Sequence, residues 1–176
     1  VNGITASTSS QNKTERGFIM KITQQQLVDL GACKPGFDRF IEQTGNTDQP
    51  VKILNLIGGK NTTDDLLWFA GETLPKMKIV IFAVECAESV LHLHTDPRVL
   101  AAIQAARDWI KEPSEVHRLN ARDAADNAGD NAPSAAAYAA AYTSSNVVIY
   151  ASNAARHANA APNEAVKTSL IQLFSE

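Results

Sequence analysis

The segment from Lys76 to His94 constrains this chain more than any other, because it is apolar around most of a helical circumference. Ile79, Phe82, Cys86, Val90 and Leu93 fall on one side of a 3.6-residue helix, and Val80, Ala83, Val84, Ala87 and Leu91 fall on the adjacent side. Only Glu85, Glu88 and His92 form a polar stripe. A helix with so narrow a polar edge must be enclosed, so its neighbours have to supply apolar faces on several sides. Ile79 to Val84 is β-branched enough to read as a strand. No nearby segment would pair with it, and the length of the apolar stretch favours helix.

The flanking chain supplies short helices separated by Gly and Pro. Thr23 caps a predicted helix through Leu30, stopped by Gly31. Lys34 to Thr44 is a second, with Phe37, Phe40 and Ile41 at i, i+3, i+4, ended by Gly45. Asp48-Gln49-Pro50 opens an expected third helix with a Val51, Leu54, Ile57 stripe, broken by Gly58-Gly59. Thr62 or Thr63 caps a fourth, whose Asp64 and Asp65 suit the positive end of its dipole. Beyond the central helix, Asp96-Pro97 is a helix-start pair, and Val99, Ile103, Ala106 and Ile110 turn inward as far as Lys111. Ser114 caps the next helix, which runs to about Asn127 and stops at Gly129-Asp130. Pro133 begins another, and Glu164 to Phe174 forms the last.

From Ala121 to Ala161 alanine dominates. Alanine has the best helix propensity, and its small side chain lets helix axes approach closely. An exposed lone helix and a disordered low-complexity stretch are the alternatives. Tyr138, Tyr142 and the Val147-Val148-Ile149-Tyr150 block argue against disorder, because they supply apolar area to bury. Thr143 to Asn146 is expected to kink or end the helix. The fold class is therefore all-α: a compact multi-helix domain with an alanine-rich C-terminal half and no sheet. Residues 20–176 are expected to form one helical domain. Residues 1–19 are rich in Ser, Thr, Asn and Gln, with no helical period, and read as a disordered N-terminal extension. Met20-Lys21-Ile22-Thr23 has the form of a natural start, and the extension lacks the basic start and apolar block of a signal peptide.

Composition narrows the function classes. Hydrophobic residues make up 44% of 176, enough for a real core. A net charge of −3 argues against non-specific nucleic-acid binding, which needs a basic surface. No apolar run approaches the roughly 20 residues of a membrane helix. Cys33 and Cys86 lack C-x-x-C spacing and are expected to be reduced, buried thiols of a cytoplasmic protein.

No cofactor-binding or catalytic signature emerges. Glu85, Glu88 and His92 share a helix face, but the carboxylate–histidine metal sites of helical bundles need two Glu-x-x-His repeats, and this chain has none. Cys86 is flanked by apolar residues, as an inert core thiol is. Gly58-Gly59-Lys60-Asn61-Thr62 lacks the preceding strand and the spacing of a phosphate loop and reads as a turn. The candidate binding surface is the acidic, amide-rich face of Asp123, Asp126, Asn127 and Asp130, beside Arg122. A solvated helix face is the competing reading.

One pattern resembles a known family. Cys86, Ala87, Glu88 and Leu91, followed by Ala102, Ile103, Ala105, Ala106, Arg107 and Trp109 and then the alanine-rich tail, is similar to the immunity proteins of bacterial toxin systems. Arg98 directly follows Pro97, a shorter joint than that family has. The N-terminal half, with Gly31-Ala32-Cys33, Gly58 to Thr62 and Leu66-Leu67-Trp68, resembles small phage-encoded proteins of no assigned activity. The resemblance implies a helical protein that acts by binding a protein partner. It also marks Glu88 and Arg107, on consecutive helices, as an expected structural pair joined by charge or hydrogen bonds. The reading is thus a non-enzymatic binding protein that neutralises a toxin or host protein. A phage accessory or structural role and a metal-dependent helical enzyme are the alternatives.

Overall fold

The computed structural model describes residues 20–46, 48–142, 144–158 and 164–175. The expected extension over 1–19, Thr143 and the end of the alanine-rich tail, 159–161, lie outside the described residues. The chain opens with β1 (Lys21–Ile22), α1 (Gln24–Asp29) and α2 (Lys34–Thr44). Then come β2 (Val51–Lys52), a 3-10 turn (Ile53–Leu56) and α3 (Thr63–Thr73). The rest is α4 (Lys76–Ser89), a 3-10 turn (Leu91–Leu93), α5 (Pro97–Lys111), α6 (Glu115–Ala128), α7 (Ala132–Ala141), α8 (Ser144–Ala158) and α9 (Glu164–Ser175). The fold is a compact helical domain, as the sequence pattern predicts. Among the described residues, no helix is long and apolar enough to cross a membrane.

Caps account for most helix starts. Thr23 forms a capping box with Gln26, and Thr62 one with Asp65, so two otherwise unpaired N–H groups are satisfied at each. Asp96, Ser114 and Asn131 cap α5, α6 and α7 through single side-chain bonds.

α4 runs through the interior, packed by α3, α5, α7, α8 and α9. Its Ile79, Val80, Phe82, Ala83, Val84, Cys86 and Ala87 are all buried. Phe82, Cys86, Val90, Ile103 and Trp109 lie in one core cluster, as the joint between α4 and α5 predicts. α7 is the second central element, and every residue in it except Tyr138 is buried. Alanine makes this possible: α4, α5, α6 and α8 all close on a helix with almost no side-chain bulk. α3 and α8 cross as tightly at Gly71, where a β-carbon would stand 2.4 Å from Val148 Cγ2.

Three expectations need correction. The predicted third helix is instead a strand followed by a 3-10 turn. Val51 pairs with Ile22 and Lys52 with Lys21 in a two-stranded antiparallel sheet, so a small sheet exists where none was expected. The Ile53 N–H continues the pairing by donating to the Met20 carbonyl at 3.1 Å. The central helix stops at Ser89, five residues early. The Ser89 hydroxyl bonds back to the Cys86 carbonyl at 2.6 Å, competing with the backbone ladder, and Leu93 is left exposed. Of the two free thiols, Cys86 is buried but Cys33 is exposed, because it precedes the first turn of α2 at the surface.

Candidate functional site

Ala121, Ala125 and Ala128 recur along the inner side of α6, which directs Arg122, Asp123, Asp126 and Asn127 outward. Gly129 then adopts a positive φ of 78°, and the chain turns out through the exposed Asp130. All four predicted residues therefore lie on the surface at the C-terminal end of α6. Their surroundings differ. Asp123 stands 3.6 Å from Arg122, and the Asn127 amide donates to the Asp123 carbonyl at 2.8 Å. Asp126 accepts a 2.5 Å hydrogen bond from the Tyr138 hydroxyl, and Asp130 lies 3.1 Å from His157 Nε2.

Asp126 and Asp130 also share a notch of about 190 Å³ with Ser134, Tyr138, Tyr150 and Asn153. Tyr138 and Tyr142 sit one turn apart on α7 and just beyond its end, and Tyr150 comes from α8. The Tyr150 ring stacks on both, at 4.9 Å from Tyr138 and 5.1 Å from Tyr142. The bond to Asp126, reinforced by burial, pushes the Tyr138 phenol up to about 12. The hydroxyl therefore stays protonated and keeps donating. Burial and the neighbouring Tyr142 raise Tyr150 too. The result is two exposed carboxylates beside a fixed aromatic wall, a combination that attracts an ammonium or guanidinium group. The Tyr138–Tyr142 spacing was visible in the sequence as apolar area. The addition of Tyr150 depends on how α7 and α8 pack and had no local signal.

The predicted structural pair lies between α4 and α5, outside the notch lining. Arg107 Nη2 lies 2.7 Å from Glu88 Oε1, with Nε donating to the same oxygen at 2.8 Å, so α4 and α5 are joined there. Both side chains are more than a third exposed, which places the pair in solvent rather than in the interior.

The other sequence candidates have structural explanations. Glu85, Glu88 and His92 do not converge, and among the described residues no three His, Cys, Asp or Glu side chains group as a metal site. The Cys86 thiol is pushed up to about 12, chiefly by burial and then by Glu85. In the Gly58–Thr62 turn, the Lys60 and Asn61 N–H groups donate to Gln43 Oε1 at 2.7 and 3.0 Å, so they are not directed at an anion.

An all-α domain with an acidic-aromatic notch on one edge is the class that this geometry defines. The chain belongs to DUF6931, a family of unknown function, whose profile matches residues 53–174. The match spans α3 to α9 and so includes the notch and the Glu88–Arg107 pair. No curated protein and no solved structure matches the chain.

Proposed function

We propose that this is a non-enzymatic binding protein that takes a basic protein partner on the α6 edge, as an immunity protein takes its toxin. The observation that carries the reading is the notch: the Asp126 and Asp130 carboxylates flank Tyr138 and Tyr150, whose rings are already stacked. Aromatic residues fixed before binding lose little entropy on association, and tyrosines are common among residues that dominate binding energy. The carboxylates draw a cationic partner in and raise its association rate. Asp123 and Asn127 extend the surface along the helix. A cytoplasmic setting goes with this reading, since both cysteines are free thiols.

The test compares the native chain with an Asp123→Lys, Asp126→Lys variant as baits in host lysate and against the product of the neighbouring gene. Binding should be lost or weakened in the variant and should fall with added salt in the native chain. A partner held with unchanged affinity and unchanged salt dependence would move the interface away from α6. Recovery of phage replication or capsid proteins through another face would favour the accessory role.

A further inference from the structure

A cavity of about 340 Å³ opens between the N-terminal helices and α3. Leu27 and Phe40 wall it on the α1–α2 side, and Leu56, Leu66, Trp68 and Phe69 on the other. Small-molecule sites usually enclose about 300–1,000 Å³ and combine apolar walls with a few fixed polar groups. Here Asn61 lines the cavity with a buried Oδ1 that has no hydrogen-bond partner among the described residues, and the other fixed polar group is Arg39. Its Nε and Nη2 hold Asp65 in a two-pronged pair, at 2.8 and 2.6 Å. Burial alone would raise the Asp65 carboxyl, but the bonds from Arg39 and Thr62 outweigh it and hold the group below the usual carboxylate range. The remaining acid of the lining, Asp64, is paired with Arg156 at 2.6 Å. Charge is thus balanced around the opening, which favours neither an anion nor a cation. Arg39 Nη1 takes no part in the pair with Asp65, so the guanidinium retains donors beyond those given to that carboxylate. Gly36 keeps this corner clear: a β-carbon there would stand 2.9 Å from Asp65 Oδ1.

We propose that this cavity binds a neutral, largely apolar small molecule of about fused-ring size, with one carbonyl or ether oxygen that accepts from Arg39. The site is distinct from the α6 notch and does not depend on it. Its walls come partly from residues 22–40, which precede the segment shared with the family.

Prodan, a neutral naphthalene ketone whose emission shifts to the blue in apolar surroundings, is the probe. Cys33 lines the cavity and is exposed, whereas Cys86 is buried, so reaction of the folded chain with a disulfide reagent reports on Cys33. The expected result is saturable blue-shifted emission at one prodan per chain, together with slower Cys33 reaction at saturation. Ala32→Phe, which fills the cavity from its wall, should weaken binding by about tenfold or more. Arg39→Lys keeps the charge facing Asp65 but loses the guanidinium donors, and should shift bound emission further to the blue. Absence of saturable binding would overturn the proposal. So would binding that leaves the Cys33 rate unchanged, since the probe would then sit elsewhere. If Ala32→Phe fails to fold, protection of Cys33 in the native chain decides the question alone.

Discussion

The Gln43 side chain occupies the space that a β-carbon on Gly59 would fill. Such a carbon would stand 2.1 to 2.5 Å from the end of the Gln43 amide. From that position Gln43 donates to the Asn55 carbonyl at 2.8 Å and accepts from the Lys60 and Asn61 N–H groups, so one side chain clasps the turn before α3. Gly59→Ala should displace the amide and cost about 2 kcal/mol, the net worth of a few hydrogen bonds. Gln43→Ala should cost a similar amount. Because both changes break the same contacts, the double variant should lose much less than the sum, and a denaturant double-mutant cycle measures this.

Phe82 is 1% exposed at the centre of α4. Phe82→Ala should cost about 3–5 kcal/mol in urea unfolding, the usual range for emptying a packed aromatic site. A loss below about 1 kcal/mol would mean that α4 is not the core of the domain.

For Arg107 and Glu88 a small effect is expected. A buried pair loses about 3–5 kcal/mol when one partner is removed, but this pair is half in solvent. Arg107→Ala should therefore cost about 1 kcal/mol or less, with a further decrease in high salt. Equilibrium unfolding at two ionic strengths checks both statements.

Lys76 gives a pH signature. Its ammonium lies 4.2 Å from the centre of the Trp109 ring and donates to the Ala140 carbonyl at 2.8 Å. Burial, with the nearby Arg118 charge, brings it down from 10.5 to about 8. Between those values the unfolded chain binds more protons than the folded one, so stability attributable to Lys76 rises with pH across this window. It is lost as pH falls through about 8. Cys86 and Tyr138, both raised to about 12, act in the opposite sense once pH passes their ordinary values of 9.0 and 10.0. The difference in unfolding free energy between the native chain and Lys76→Met, followed from pH 7 to 9, isolates the lysine. A flat difference would show that the ammonium is solvated.

Helix starts were the most legible part of the fold, because their signals are local: Thr23, Thr62, Asp96-Pro97 and Ser114 each cap the turn that follows them. The stretch from Val51 to Ile57 was not legible, because its conformation is decided by pairing with Ile22, about thirty residues away in sequence. Of the candidate site, the outward turn of Asp123, Asp126 and Asn127 followed from the alanine period of α6. The aromatic wall did not, since Tyr150 reaches Tyr138 only through the packing of α7 on α8. Arg39 and Asp65 left no signal of their pairing for the same reason, and neither did the cavity beside them.

The near absence of side chains on α7 has a consequence for how the interior is specified. A bare alanine cylinder looks much the same after a rotation about its axis, so close packing alone barely distinguishes one angular setting from another. Beside the stacking of Tyr138 on Tyr150, what distinguishes them here is polar. Ser134 donates to the Ala125 carbonyl, Tyr138 to Asp126, and Lys76 and Arg118 reach the carbonyls of Ala140 and Ala141 at the far end. These four contacts act like keys on a smooth shaft. The usual division of labour is reversed: the apolar surface supplies the cohesion, and hydrogen bonds select which of several similar packings is the native one.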